Sequence, residues 1–182
     1  MTIDIPGYRA GTWTLDPAHS EVTFSVRHMM ISKVRGTFGV KSATLVAPEN
    51  PLEATVTASV DVTSIDTKDE NRDTHLRSAD FFDTEEYPTM EFVSTGTRVE
   101  GGDFLVDGDL SIRGITKPVT FEFEFGGFGQ DPYGNYKAGA SATTVINRED
   151  FGLTWNAALE TGGVLVGKDV TITLDLQGSL QA

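Results

Sequence analysis

The chain contains no cysteine, which excludes a disulfide framework, a thiolate nucleophile and a Cys-ligated metal site. It also lacks any apolar run approaching the ~18 residues of a membrane-spanning helix. Basic residues are scarce: 14 Lys and Arg stand against 27 Asp and Glu, for a formal net charge of −13. That balance repels phosphate backbones and anionic membrane surfaces, and no basic run is dense enough to reverse it. Nucleic acid is therefore not an expected partner, and neither is membrane insertion. The opening run Met1-Thr2-Ile3-Asp4-Ile5-Pro6 lacks the basic start and apolar core of a signal peptide, and so predicts a cytoplasmic location. At 182 residues the chain fits one domain spanning 1–182, large enough to bury roughly 70% of its unfolded surface without a staple.

Alternation of apolar and polar residues fills most of that length. Val119 to Phe125 reads V-T-F-E-F-E-F, and side chains on a strand point to opposite faces in turn, so one face is apolar and the other wet. Val22-Phe24-Val26, the even positions from Ala54 to Val62, Phe104-Val106, Leu110-Ile112 and Val170-Ile172-Leu174-Leu176 repeat the pattern. Turn residues separate these runs: Pro48 to Pro51, Gly101-Gly102-Asp103, Gly126-Gly127, Asp131 to Asn135 and Gly162-Gly163. Strands are predicted near 12–15, 20–28, 35–46, 53–64, 89–99, 103–113, 118–127, 136–147 and 169–178. With no helical period between them, they favour a closed antiparallel sheet, an all-β barrel of about eight strands.

Two stretches depart from the pattern. Thr67 to Phe82 is polar and reads as one short helical segment, with Thr67 or Asp69 as N-cap. Arg148 to Leu165 mixes Phe151, Leu153 and Trp155 with a Gly162-Gly163 turn. It reads as a strand over 151–156 or as a loop across a barrel mouth, the strand being preferred.

A one-sided sheet must enclose something. Inward positions include many small residues, among them Ala54, Ala58, Ala138, Ala140 and Ala142, beside Phe104, Phe121, Phe123 and Phe125. Pattern alone leaves two fillings open, a plain side-chain core or a cavity for one small ligand.

The residues also carry a family resemblance. Thr12-Trp13-Thr14-Leu15-Asp16-Pro17-Ala18-His19-Ser20 through His28, and Val34-Arg35-Gly36-Thr37-Phe38 after it, resemble the opening of the YceI-like family. Ser64 to Thr67, Arg72 to Leu76 and Phe81-Phe82-Asp83, followed by Tyr87-Pro88 and Phe92, resemble its central block. Leu110 to Val119 and Ile146 to Leu153 resemble its C-terminal half, in the right order over roughly residues 12–178. The resemblance implies a lipocalin-like antiparallel β-barrel whose apolar interior binds a polyisoprenoid. The protein would then carry a small-molecule lipid, isoprenoid or quinone-like, with no other cofactor. Many relatives carry a secretion leader, which the opening run is not expected to supply, and a homodimer is a further partner that the resemblance brings with it.

On that reading the candidate lining is Phe24, Val26 and His28 on the second strand, Met30 and Phe38 beyond it, then Val60, Leu76 and Phe81. Phe92, Phe121, Phe123 and Trp155 complete it from the later strands. Arg35, Arg72 and Arg148 are the head-group candidates, because guanidinium meets phosphate in a bidentate fork. Local structural pairing is the competing role for each arginine.

An enzyme reading rests on His19, His28 and His75, as a small hydrolase or a metal-dependent enzyme. Asp16, His19 and Ser20 invite a triad, yet a triad needs a spatial relay that residues this close across an Asp-Pro turn do not make. The Gly-x-Ser-x-Gly elbow is absent, and the histidine spacing matches no zinc signature. No metal site and no catalytic residue are assigned from the sequence.

Overall fold

The computed structural model describes residues 3–159 and 163–181. Its strands are β1 (Gly11–Leu15), β2 (Glu21–His28), β3 (Ser32–Ala47), β4 (Thr55–Asp66), β5 (Thr89–Glu100), β6 (Asp103–Ile112), β7 (Ile115–Gln130), β8 (Tyr136–Asn147) and β9 (Val166–Leu180). One α-helix, α1 (Glu70–Arg77), lies between β4 and β5. All pairings between strands are antiparallel.

The sheet closes on itself. Both β3 and β9 pair with β1 and with β2, so β1 and β2 occupy a single wall position end to end. With β3 also paired to β4, nine strands make a barrel of eight wall positions. The break between β1 and β2 is a tight turn over Pro17–His19, where Asp16 accepts a hydrogen bond from the Ala18 amide at 3.0 Å. Gln177 of β9 stitches the break to the wall: its carbonyl accepts from the Asp16 amide at 2.8 Å and its amide donates to Ser20 Oγ at 3.0 Å.

Helix α1 starts where Asp69 caps the Arg72 amide at 3.1 Å. It closes one end of the barrel. The core there gathers Val22, Phe38, Val62, Ile65, Phe81, Leu110, Ile112, Ile146, Phe151 and Leu153. Val62, Ile65 and Phe151 are fully enclosed, each worth about 1.5–3 kcal/mol of burial.

Each predicted strand from 12–15 to 169–178 is present, but the strand expected over 151–156 is not. Residues Arg148–Phe151 form a short 3-10 turn, and the chain then crosses the barrel end without joining a ladder. Phe151 and Leu153 are buried as a strand would bury them, yet no wall position is left to take another strand. Arg148 satisfies the backbone in place of a neighbour, donating through its Nη1 to the Leu153 carbonyl at 2.6 Å and the Trp155 carbonyl at 2.9 Å.

Candidate functional site

The half of the barrel away from α1 is hollow. A cavity of about 160 Å³ lies there, lined by Trp13 and Leu15 of β1, Leu45 of β3, Val56 of β4, Phe104 and Val106 of β6, and Phe123 and Phe125 of β7. Ala138 and Ala140 of β8 and Leu176 of β9 complete the lining. No charged side chain lines it among the described residues; Tyr8, Thr14, Thr44 and Thr97 are the residues with polar side chains in its lining. Enclosed apolar cavities of comparable volume take apolar guests about the size of benzene.

Three β-bulges decide which side chains face inward. On β7 the inward phase is Val119, Phe121, Phe123 and Phe125, until the register with β8 shifts between Phe125 and Gly127. Gly127 takes a φ of 131°, open to glycine and strained for other residues. The extra residue flips the phase, so Phe128, rather than Gly127 or Gly129, joins the cavity lining. The same shift between Val40 and Ser42 on β3 turns Ala43 and Leu45 inward, and one between Ser94 and Gly96 on β5 brings Thr97 to the cavity.

Residues before β1 roof the cavity. Ile5 and Tyr8 line it from above. The Tyr8 hydroxyl donates to the Pro48 carbonyl at 2.6 Å, and the Tyr136 hydroxyl donates to the Gly7 carbonyl at 2.5 Å. The Trp13 indole N–H donates to the Arg9 carbonyl at 3.1 Å, while the Arg9 guanidinium sits 3.7 Å over the Tyr136 ring. Gly7 lies so close to Phe128 that an added Cβ would stand 2.9 Å from the Phe128 Cβ. Burial, with the nearby Glu49 charge, pushes the Tyr8 phenol up from its ordinary value, so it stays a donor across neutral pH. An aromatic belt continues the roof, with Trp13 edge-on to Phe128 at 6.0 Å and Phe104 edge-on to Phe125 at 5.3 Å.

Of the lining residues expected from the sequence, Phe123 faces this cavity. Phe121 is buried just beyond it, edge-on to Phe92 at 5.4 Å. Phe24, Phe38, Val60, Leu76, Phe81, Phe92 and Trp155 belong to the core of the packed half. Val26 and His28 lie on the inward phase of β2 toward the end away from the cavity, half-buried, and Met30 is exposed at the hairpin beyond. Trp13, Leu45, Val56 and Phe128 line the cavity without having been singled out. Gly126-Gly127, read as a strand junction, was the signal for Phe128.

The three arginines have separate surroundings. Arg35 is exposed on β3. Arg72 turns back on Thr67, its Nε donating to Thr67 Oγ1 and its Nη2 to the Thr67 carbonyl, both at 2.8 Å. Arg148 is buried and donates to the carbonyls of Leu153, Trp155, Val166 and Gly167. Burial lowers the Arg148 pKa from its ordinary value.

The histidines do not converge. His19 and His28 sit at opposite ends of β2, and His75 is on α1. His19 Nδ1 pairs with Asp16 at 2.7 Å, while Ser20 Oγ is engaged by the Gln177 backbone instead. His75 lies edge-on between Phe81 and Trp155, with Nε2 2.9 Å from Asp80. Among the described residues no group of three or more His, Asp or Glu could hold a metal ion.

Comparisons with known proteins agree with this architecture. The YceI-like domain profile matches residues 13–178. A UPF0312 protein of Staphylococcus aureus strain MSSA476 is 40% identical over 170 residues, covering 92% of this chain and 97% of its own. The crystal structure of BcnA from Burkholderia cenocepacia superposes with a TM-score of 0.77 at 24% identity, covering 90% of this chain and 98% of that one. A polyisoprenoid binding domain from Saccharophagus degradans, implicated in plant cell wall breakdown, gives 0.68 at 14% identity, covering 93% of this chain and 98% of that one.

Proposed function

Because the chain belongs to the YceI-like domain family, we propose that it binds and carries a long apolar lipid, polyisoprenoid or quinone-like, in the hollow half of its barrel. The observation that carries this reading is the cavity itself, apolar on all sides and roofed by Ile5 and Tyr8. The polyisoprenoid binding described for the Saccharophagus degradans domain supports the same class of ligand.

An isoprenoid tail is a branched hydrocarbon with no hydrogen-bonding group, so its affinity grows with buried area at ~25 cal/mol per Å², less the cost of ordering the tail. Walls free of charged side chains suit it. A cavity of about 160 Å³ seats the end of such a tail; a longer one threads past the roof or displaces Phe104, Phe125 and Phe128. The head then lies at the roof, where Tyr8, Tyr136 and Arg9 offer hydroxyls and a single cation. The net charge of −13 gives no long-range attraction for a pyrophosphate, which favours a neutral or weakly charged head.

Native mass spectrometry and organic extraction of the purified protein test this. Co-purified lipid of several isoprene units, or stoichiometric uptake of added polyprenol, is the expected result. Absence of co-purified lipid after expression in an isoprenoid-rich host, together with no uptake of added polyprenols, would overturn it.

A further inference from the structure

The β2–β3 hairpin ends in Met29, Met30 and Ile31, which are 43%, 56% and 82% exposed. Met29 and Met30 take φ values of 53° and 61°, the left-handed region where a two-residue hairpin turn ordinarily places Asn-Gly. The turn holds two bulky side chains in a conformation that disfavours them, and presents them to solvent. The segment Gly163-Val164-Leu165 lies alongside. Its backbone joins the hairpin through the Met29 amide, which donates to the Leu165 carbonyl at 2.7 Å. The Met30 sulfur rests against Gly163, and Val164 adds a further exposed apolar side chain.

The β2–β3 hairpin is cationic, with Asp66 of β4, opposite Thr37, and Asp169 of β9 as acidic neighbours. From Val22 to Pro48 there is no Asp or Glu, although the chain has 27 of them. On the outer face Arg27 stands directly opposite Lys33, and Arg35 is one rung further on. Like charges directly opposite on a sheet repel, yet among the described residues none of the three forms an ion pair. Arg27 donates to the Met30 carbonyl at 3.5 Å. Lys168, on neighbouring β9, is held by Glu149 at 3.6 Å and adds little, and Asp169 follows it.

We propose that this hairpin tip docks the protein on an anionic lipid surface. Met30 and Ile31 enter the headgroup layer while Arg27, Lys33 and Arg35 meet the lipid phosphates. Apolar side chains backed by cations are the composition that binds such an interface. The overall negative charge does not prevent it. The screening length at physiological salt is about 8 Å, and β3, at ~3.3 Å per residue, sets its far end some 50 Å from the tip, so carboxylates at that end do not act on it.

Sedimentation with vesicles tests the docking. Phosphatidylcholine vesicles containing phosphatidylglycerol should pull down the protein, phosphatidylcholine alone should do so far more weakly, and added salt should weaken binding to the anionic vesicles. Arg27→Gln, Lys33→Gln and Arg35→Gln together should lower the partition on the order of a hundredfold. Met30→Ser with Ile31→Ser should lower it at least tenfold, and Lys137→Gln, at the cavity end, should not change it. Unchanged thermal unfolding shows that the variants fold. Equal binding to neutral and anionic vesicles, no binding to either, or variants that bind like the parent would overturn the proposal. So would a dimer in solution that Ile31→Ser converts to monomer, which would assign the tip to a second copy of this chain. Polyprenol uptake is measured separately, so failure of docking and failure of lipid carriage are distinguishable.

Discussion

Phe125 of β7 is the cross-strand partner of Ala140 of β8, and both side chains line the cavity. A ring stands opposite a methyl, and the space is what the missing bulk leaves. Ala140→Phe should fill it, lowering polyprenol uptake at least tenfold in a titration. Thermal stability should hold or rise by about 0.5–2 kcal/mol, because filling a void restores dispersion contacts. Unchanged uptake would place the tail elsewhere.

The roof is held by two phenol hydrogen bonds, Tyr8 to the Pro48 carbonyl and Tyr136 to the Gly7 carbonyl. Each is worth about 1 kcal/mol net. Tyr8→Phe with Tyr136→Phe keeps both rings and loosens the segment over the cavity. Exchange of a fluorescent polyprenol should quicken about tenfold while equilibrium uptake changes less. Exchange at the parent rate would mean that the lipid does not pass under this segment.

The barrel was legible in the alternation, because each strand hides one face and the period of two is local in sequence. The position of the space was not. Phe24, Phe38, Phe92 and Phe123 share the same inward pattern, yet the first three meet the core capped by α1 and the last meets the cavity. That difference depends on which end of the barrel the helix closes, a long-range fact. Phe128 was hidden for a more specific reason, since a single bulge at Gly126-Gly127 reverses the phase that the upstream residues establish. Segment 151–156 had a strand's alternation but found no ladder, because closure depends on partners outside it.

Asp73 carries the closed end. It is buried, and its Oδ1 accepts from the Thr67 amide at 2.9 Å and from Thr67 Oγ1 at 2.5 Å. Arg72 grips the same Thr67 from the other side. Asp73→Ala leaves the Thr67 amide and the Thr67 hydroxyl proton without an acceptor, at a cost of about 1–3 kcal/mol each. Denaturant unfolding should show a loss of about 2–4 kcal/mol, with α1 amides exchanging faster than those of β8. A loss confined to a few tenths would show that α1 docks without this carboxylate.

Acid should find the barrel wall through Asp107. Hydrogen bonds from the Arg98 guanidinium and the Thr120 hydroxyl hold its carboxyl below the ordinary 3.8. Because the folded form has the lower pKa, the contribution is complete above the ordinary carboxylate range and is lost as pH falls through the lowered value. Asp131, held down chiefly by the Asn135 amide, and Asp16, held down by His19, act in the same direction. Thermal stability should therefore be level from about pH 7 to pH 5 with respect to these groups and fall below about pH 4. Asp107→Asn should be less stable than the parent at neutral pH and should lose less of its stability between about pH 4 and pH 2. Parallel curves for the two proteins across that window would show that the Arg98–Asp107 pair adds nothing to the wall.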